Sequence, residues 1–259
     1  MKAVILAGGL GTRLAEETDR IPKPMVTVGG HPILWHIMKI YEQAGIRDFI
    51  ICAGYKAHVI VEYFVNYRLH NSSVEVNLKE GRVSCLDDPH EDWRVTIVNT
   101  GDATMTGGRL KRVQHLLDDG EPFCMTYGDG LINSDIAASI AFHRRHRRKA
   151  TMTAVHNPAR FGAAEITGDK VTRFVEKPVG GDGRINGGYF VLEKSVLDLI
   201  AGDDTSWERD PMEALALEGE LFAWQHDGFW QPMDTLRDRR LLEELWAENR
   251  APWKVWQGR

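Results

Sequence analysis

The chain has 259 residues, of which 43% are hydrophobic and 27% are charged, as is typical of a globular protein with a sizeable core and not of a disordered chain. Its formal net charge of -5 argues against a nucleic-acid partner, because binding to the phosphate backbone requires a basic surface. The cysteines Cys52, Cys85 and Cys124 lie far apart without CxxC or Cys/His spacing, which argues against a zinc site or a disulfide framework. No segment has the length of a signal-peptide core or a membrane span, so we expect a cytoplasmic protein with no membrane partner.

Strands and helices are predicted to alternate through the first half of the chain. Continuous apolar runs predict buried strands at 2–7 and 48–53, and Pro32 and Gly45 bound an amphipathic helix at 32–44. The elements predicted next are a helix at 57–69, a hairpin of 74–79 and 82–86 around the turn Glu80-Gly81, a strand at 94–99, a helix at 109–117, a strand at 122–127, a helix at 136–145 and a strand at 150–155. This alternation predicts an α/β fold with a Rossmann-like, mixed but mostly parallel sheet, helices on both faces, and ligands at the carboxyl ends of the strands.

The second half of the chain is predicted to contain shorter elements with glycine-rich joints. They are strands at 170–175, 187–192 and 221–224, and helices at 194–200, 211–218 and 236–246. No proline- or serine-rich linker separates the two halves. We therefore expect a single domain, 1–259, in which residues 158–259 extend the sheet begun by residues 1–157 and close over the site.

A glycine-rich loop follows the first predicted strand. Gly8, Gly9 and Gly11 can bring backbone N–H groups close to an anion such as phosphate. The loop lacks the Gly-Lys-Ser/Thr ending of a P-loop, and it has no third glycine where a dinucleotide fingerprint needs one. Arg13, and Lys23 between two prolines, add cations suited to a ligand with several anionic oxygens. A glycine turn without any ligand is the alternative interpretation.

Motifs in chain order resemble those of the sugar-1-phosphate nucleotidyltransferases, also called nucleotide-sugar pyrophosphorylases. They are LAGGLGTRL at 6–14, PKPM at 22–25, YGDG at 127–130, VEKP at 175–178, INGGYFVL at 185–192 and FWQPMDTLRD at 229–238, so the resemblance covers nearly the whole chain. Most of the family continue the first motif as GTRLxPLT, whereas this chain has AEET at 15–18. That variant, together with TGGRLKR at 106–112 and the last motif, resembles the branch that uses CTP and glucose 1-phosphate.

The resemblance implies a reaction as well as a fold. It implies a nucleotide-binding half, 1–157, a sugar-binding and oligomerisation half, 158–259, and assembly as a homo-oligomer. The implied reaction transfers a cytidylyl group from CTP to α-D-glucose 1-phosphate, through in-line attack of the sugar phosphate on the α-phosphorus and loss of pyrophosphate. Both substrates are anions, so cations and positioning should matter more than acid–base groups. A thymidylyl- or uridylyltransferase acting on a hexose 1-phosphate, or a catalytically silent sensor of nucleotide sugars on the same fold, is the alternative.

The resemblance also assigns the charged site residues that contact the substrates. Arg13 is expected to hold the leaving pyrophosphate and Lys23 the phosphates around the reacting centre. Lys177 is expected to grip the sugar phosphate, while Glu176 binds sugar hydroxyls. Taken without its neighbours, Lys177 would be an ordinary surface lysine.

Two carboxylates are expected to hold Mg²⁺. Asp129 follows a predicted strand and is flanked by glycines, where a carboxylate can reach a metal, and the resemblance assigns Asp234 as its partner. Carboxylates together with phosphate oxygens and water suit Mg²⁺. Asp129 could instead be an aspartate in a glycine turn, and Asp234 the N-cap of the last helix.

The remaining expected contacts surround the nucleotide and the sugar. The resemblance places the nucleotide against Leu6, Ala7, Gly8, Gly9, Leu10, Gly11, Thr12, Thr104, Arg109 and Gly128, and the sugar against Asn186 and Gly187. Cytosine presents an amine where uracil presents a carbonyl, so hydrogen-bond acceptors should discriminate between them. Arg109 could instead be a surface residue at a helix start, and the NGG sequence at 186–188 a simple turn.

Two conspicuous features are interpreted without a ligand. The basic run at 143–149 falls at the end of a predicted helix, where the helix dipole favours cations, and it lacks the interleaved aromatics of a nucleic-acid site. Trp246, Trp253 and Trp256 could belong to the core or to a subunit contact. Since the family commonly forms oligomers, we favour the subunit contact.

Overall fold

The computed structural model describes residues 1–9, 11, 21–87, 91–156 and 183–256, and the backbone of 163–167 and 170–175. Its strands are β1 Lys2–Ala7, β2 Thr27–Val28, β3 His31–Pro32, β4 Asp48–Ala53, β5 Val74–Asn77, β6 Arg82–Cys85, β7 Arg94–Asn99, β8 Phe123–Tyr127, β9 Gly130–Ile132, β10 Ala150–His156, β11 Ala163–Thr167, β12 Lys170–Val175, β13 Arg184–Leu192, β14 Leu221–His226 and β15 Trp230–Pro232. Its α-helices are α1 Ile33–Gln43, α2 Ala57–Val65, α3 Tyr67–His70, α4 Thr106–Arg112, α5 Ile136–His146, α6 Asp210–Leu217 and α7 Leu236–Ala247. Short 3₁₀ turns lie at Lys23–Met25, Gln114–Leu116 and Lys194–Leu199.

A seven-stranded sheet in the order β14-β10-β13-β8-β1-β4-β7 forms the centre of the molecule. β1 pairs in parallel with β4 and β8, β4 with β7, and β10 with β14, while β13 runs antiparallel to β8 and β10. The predicted mixed, mostly parallel sheet is therefore confirmed. β13 and β14 come from the second half of the chain, so that half extends the sheet as expected.

The central strand β1 sends its side chains into two hydrophobic cores. Ala3, Ile5 and Ala7 face a core that α1, α7 and the C-terminal tail complete, whereas Val4 and Leu6 face a core completed by α4, α6 and the 3₁₀ turn before α6. Burial on both faces explains why β1 reads as a continuous apolar run. Helices therefore cover both faces of the sheet, as predicted.

Several predicted element boundaries are wrong for local reasons. The helix expected at 57–69 breaks at Asn66, whose side-chain amide donates to the carbonyl of Glu62 at 2.9 Å. The helix expected at 109–117 begins instead at Thr106 and ends at Arg112, because its glycines, read as loop residues, allow close packing on residues 203–205. The short ribbon of β9 and β15 has no period in the sequence and was not predicted.

Trp253 and Trp256 belong to the core of this chain, so the favoured subunit contact is wrong for these two tryptophans. Trp253 is fully buried and Trp256 is 8% exposed. Both pack with α1, where the Trp256 ring lies edge-on to Trp35 and both tryptophans lie within ring contact of His36. Trp246 is partly buried and packs against the same core.

The basic run at the end of α5 is held by partners within the chain. The ring of buried His143 lies 2.9 Å from the Thr151 hydroxyl and 3.2 Å from the Glu193 carboxylate. Arg148 pairs with Glu220 at 3.2 Å. These contacts favour the interpretation of this segment as a helix end and not as a nucleic-acid site. Among the helices that the structure describes, none has the length and apolar character needed to span a bilayer.

Candidate active site

A cleft of about 520 Å³ opens at the carboxyl ends of β1 and β8, the edge of the sheet where parallel strands present ligand sites. The predicted site residues that line it are Leu6, Ala7, Gly8, Gly9, Gly11, Lys23, Thr104, Arg109, Gly128, Asp129 and Asp234. The fold thus brings together both expected metal ligands and those expected nucleotide contacts that the structure describes.

A smaller cavity of about 70 Å³ adjoins the cleft on the side of β13. Tyr127 and Asp129 line both spaces, and Asn186 and Gly187, the expected sugar contacts, line the smaller one. The predicted site residues Leu10, Thr12, Arg13, Glu176 and Lys177 lie outside the described residues, and their roles stay predictions.

Three glycines of the loop, Gly8, Gly9 and Gly11, line the cleft. A Cβ at Gly8 would lie 2.0 Å from Nη1 of Arg109, so any larger residue there would displace the guanidinium of Arg109 from its hydrogen bonds. Gly9 is exposed and has open space around it, and Gly11 has a φ of 63°, a left-handed conformation that favours glycine. This combination suits a loop whose N–H groups approach a phosphate closely.

Lys23 lines the cleft with its ammonium between two carboxylates. Nζ donates to Oδ2 of Asp129 at 2.6 Å and to Oδ1 of Asp234 at 2.7 Å, and the lysine side chain is 12% exposed. Burial alone would lower the pKa of Lys23, but the two carboxylates raise it above its ordinary value. The ammonium is therefore a permanent positive charge at this point of the cleft.

The short ribbon of β9 and β15 explains why two acids 105 positions apart in the chain meet. Asp129 directly precedes β9 and Asp234 follows β15, and the backbone N–H of Met233 donates to the carbonyl of Asp129 at 2.8 Å. Thr235, not Asp234, is the N-cap of α7, since its hydroxyl accepts from the N–H of Asp238. The alternative that Asp234 caps the last helix is therefore wrong.

The two acids fit a divalent cation that prefers oxygen ligands. Both already contact one cationic nitrogen, so both carboxylates can reach a common ion. Within the described ranges there is no cluster of three or more His, Cys, Asp or Glu side chains that could hold a metal. A Mg²⁺ ion at Asp129 and Asp234 would therefore take its other ligands from phosphate oxygens and water, as this ion usually does.

Arg109 lies inside the protein, so its interpretation as a surface residue is wrong. The side chain is 4% exposed, and burial lowers the pKa of its guanidinium. Its Nη atoms donate to the carbonyls of Gly8, Ala53, Gly101 and Asp102 and to the hydroxyl of Thr100 at 2.7 to 3.3 Å. These bonds hold the glycine loop against the ends of β4 and β7. A direct contact with the nucleotide stays a prediction.

The expected sugar contacts lie on a strand, so the alternative that the NGG sequence forms a simple turn is wrong. Asn186 and Gly187 belong to β13, next to a register shift between β13 and β10. Oδ1 of Asn186 accepts the backbone N–H of Gly188 at 2.8 Å, which orients the amide group. The indole of Trp230 donates to the carbonyl of Gly187 at 2.7 Å.

Sequence reasoning missed two aromatic residues of the site. Tyr127 and Trp230 both line the smaller cavity, and Tyr127 also lines the main cleft. Both lie inside motifs that carry the resemblance, YGDG and FWQPMDTLRD, in which the predicted roles fall on Gly128, Asp129 and Asp234. Their membership of these motifs, a few positions before Asp129 and Asp234, is the signal that could have identified them.

The glycine loop, the cation and the paired acids define an α/β enzyme that handles phosphorylated substrates. The family model described as nucleotidyl transferase matches residues 2–222, and the chain belongs to this family. It is a nucleotidyltransferase.

Relatives and solved structures agree with this assignment. The chain is 58% identical over 257 residues to the glucose-1-phosphate cytidylyltransferase of Salmonella typhimurium, covering 99% of this chain and 100% of the relative. It is 41% identical to the probable glucose-1-phosphate cytidylyltransferase of Bacillus subtilis, again over 99% and 100% of the two chains. The crystal structure of HddC from Yersinia pseudotuberculosis is 25% identical, with a TM-score of 0.68, and the match covers 95% of this chain and 99% of that one.

Proposed function

We propose that this chain transfers the cytidylyl group of CTP to α-D-glucose 1-phosphate and forms CDP-glucose and pyrophosphate. The observation that carries the proposal is the 58% identity, over nearly the full length of both chains, to the glucose-1-phosphate cytidylyltransferase of Salmonella typhimurium. The joint presence of Lys23, Asp129 and Asp234 in one cleft supports an active enzyme over a catalytically silent sensor.

The geometry of the cleft supports this reaction in physical terms. A phosphate oxygen of the sugar phosphate forms a new bond to the α-phosphorus of CTP, and the bond from that phosphorus to the departing pyrophosphate breaks. The two substrates repel each other electrostatically. The glycine loop and Lys23 both line the cleft, where the backbone N–H groups of the loop and the ammonium of Lys23 would reduce that repulsion and orient the phosphates for in-line attack.

The acids supply the site for the divalent ion. Asp129 and Asp234 would hold Mg²⁺, which when bound neutralises charge on the phosphate oxygens. Arg13 is proposed to hold the leaving pyrophosphate, Lys177 the sugar phosphate, and Glu176 the sugar hydroxyls. Leu10 and Thr12 are proposed to complete the nucleotide contacts of the glycine loop.

The cellular setting follows from the proposed substrates. Both are small water-soluble anions, so we place the reaction in the cytoplasm. The acidic net charge of -5 argues against a nucleic-acid partner. Assembly as a homo-oligomer is proposed on the family resemblance.

A pyrophosphate-release assay tests the proposal. The purified chain with Mg²⁺ is given CTP, UTP, dTTP, ATP or GTP, each in combination with glucose, mannose or galactose 1-phosphate, and the products are identified by mass. We expect the highest kcat/KM for CTP with glucose 1-phosphate. A preference for UTP or dTTP would make the chain a uridylyl- or thymidylyltransferase, and no release with any pair would favour the silent sensor.

A further inference from the structure

Residues 203–208, which precede α6, pack against the start of α4, where Met105 and Thr106 line the cleft. The N–H of Met105 donates to the carbonyl of Asp203 at 2.8 Å, and that of Gly108 donates to the carbonyl of Thr205 at 3.2 Å. A Cβ at Gly107 would lie 2.7 Å from the carbonyl oxygen of Thr205, so the two backbones are in contact. This packing brings Glu208, for which no role was predicted, up to the site.

Three hydroxyl groups converge on the carboxylate of Glu208. Oε1 accepts the phenol of Tyr127 at 2.5 Å, and Oε2 accepts the hydroxyls of Thr106 at 2.7 Å and Ser206 at 2.6 Å. Thr106 also accepts the backbone N–H of Trp207 at 2.9 Å. One carboxylate thus joins the start of α4 to the end of β8.

The two residues held by Glu208 lie on different walls of the site. Thr106 lines the nucleotide cleft beside Met105, whereas Tyr127 lines both the cleft and the small cavity that contains the expected sugar contacts. The ring of Tyr127 fills the space beside Gly188, where a Cβ would lie 2.7 Å from Cδ2. Glu208 itself is exposed and belongs to the lining of neither space, so it acts on them only through Thr106 and Tyr127.

The protonation states suit this arrangement. Burial alone would raise the pKa of Glu208, but the hydroxyls of Ser206, Tyr127 and Thr106 lower it below its ordinary value. Burial, and next the negative charge of Glu208, raise the pKa of Tyr127 well above its ordinary value. Glu208 therefore accepts and Tyr127 donates throughout the neutral pH range.

We propose that Glu208 is a positioning residue for nucleotidyl transfer. It holds Thr106, on the nucleotide side of the cleft, and Tyr127, beside the expected sugar contacts, at the distance from each other that in-line attack requires. The proposal rests on the proposed function, since it assumes two substrates that meet across this cleft. An error of about 1 Å in such spacing is enough to slow a reaction by orders of magnitude.

Kinetics with both substrates varied separately test this role. In Glu208→Ala we expect kcat/KM to fall about ten-fold for CTP and for glucose 1-phosphate alike, because both walls lose their common partner. Thr106→Val should raise mainly the KM for CTP, and Tyr127→Phe mainly the KM for glucose 1-phosphate. Glu208→Gln should recover most of the activity, because its amide oxygen still accepts the phenol of Tyr127.

The matched control is Glu213→Ala, which removes an exposed carboxylate from α6. Kinetic constants of Glu208→Ala equal to those of this control, including the case of a lower Tm with kcat and both KM values unchanged, would overturn the positioning role. If Glu208→Ala does not fold, the double variant Thr106→Val with Tyr127→Phe decides, and both KM values are expected to rise. Wild-type protein that binds CTP in calorimetry but transfers nothing would overturn the proposed function together with this role, whereas active wild-type protein with unaffected variants overturns the role alone.

Discussion

The ammonium of Lys23 lies where two carboxylates can also hold a divalent cation. Its distances of 2.6 and 2.7 Å to Asp129 and Asp234 are those of charge-assisted hydrogen bonds. A divalent ion bound by the same oxygens would have to displace the ammonium, which would then be available to a phosphate. In the proposed mechanism, metal binding would therefore be coupled to the arrival of the nucleotide.

Removal of either acid is expected to abolish most of the turnover. In Asp129→Asn or Asp234→Asn the side chain keeps its size but loses the charge that holds the ion, so kcat should fall by roughly 10² to 10⁴. The pyrophosphate-release assay with saturating Mg²⁺ measures the loss. Asp204→Asn, an exposed aspartate, is the control. A near-normal rate in either variant would remove that acid from the mechanism.

Removal of the ammonium should have the opposite effect on metal affinity. Lys23→Met is expected to bind Mn²⁺ several-fold more tightly than the wild type in the absence of CTP, since the ion no longer displaces a bound cation. Calorimetric titration with Mn²⁺ measures this without any turnover. Lys79→Met, which changes an exposed lysine in the β5–β6 turn, should bind Mn²⁺ as the wild type does. Unchanged or weaker binding by Lys23→Met would refute the competition.

At the scale of elements, α4 depends on close backbone contact. Gly107→Ala places a Cβ 2.7 Å from the carbonyl oxygen of Thr205 and should cost about 1–3 kcal/mol of the free energy of unfolding. The KM for CTP should also rise, because Thr104 and Met105 directly precede this helix. Urea unfolding and the kinetic assay measure the two effects.

A second glycine of the same region provides the control for this substitution. Gly202 has no atom within 4 Å of a Cβ position, so Gly202→Ala should be close to neutral. Equal stability of Gly107→Ala and Gly202→Ala would show that the packing of α4 on residues 203–205 tolerates an added methyl group.

The packing of α1 against the C-terminal tail should make stability depend on pH. Burial lowers the pKa of His36 to about 4, while Nε2 lies 2.8 Å from the carbonyl of Val28 and Nδ1 accepts the indole of Trp253 at 3.4 Å. The folded state therefore keeps this ring neutral, whereas the unfolded state binds a proton below its ordinary pKa of about 6.5. Stability falls as the pH drops from that value toward 4, by about 2 kcal/mol between pH 7 and pH 5.

Urea unfolding at pH 7 and pH 5 measures this contribution. His36→Gln should be less stable than the wild type at pH 7, yet lose about 2 kcal/mol less between the two pH values. His115→Gln, at an exposed histidine, should keep the pH dependence of the wild type. The same pH dependence in His36→Gln and the wild type would contradict the buried neutral ring.

At the scale of the whole molecule, the sequence predicted the elements that have a period of their own. β1 and β4 are buried on both faces and are continuous apolar runs in the sequence. In α1 the apolar residues recur with the period of a helix. β9 and β15 have only three residues each; β9 begins with a glycine and β15 ends with a proline. Their pairing brings together distant parts of the chain. No local pattern could predict that ribbon, although it positions both acids.

The sequence predicted site residues whose chemistry follows from their own side chains. It did not predict roles that depend on which other residues the fold brings into contact with them. Asp129, Asp234 and Lys23 stand out by charge and motif, and the structure places them within hydrogen-bond distance. Arg109 also stands out by its charge, but only the fold shows that its guanidinium holds backbone carbonyls. Glu208 lies in a segment without any motif, so its convergence with two cleft residues appears only in three dimensions.

A crystal structure grown with a non-hydrolysable CTP analogue and Mn²⁺ tests the account most directly, because the anomalous signal locates the ion. We predict the ion between Asp129 and Asp234, the triphosphate on the glycine loop, and the ammonium of Lys23 turned toward a phosphate oxygen. An ion held by other residues, or a triphosphate bound away from Gly8 and Gly9, would contradict it.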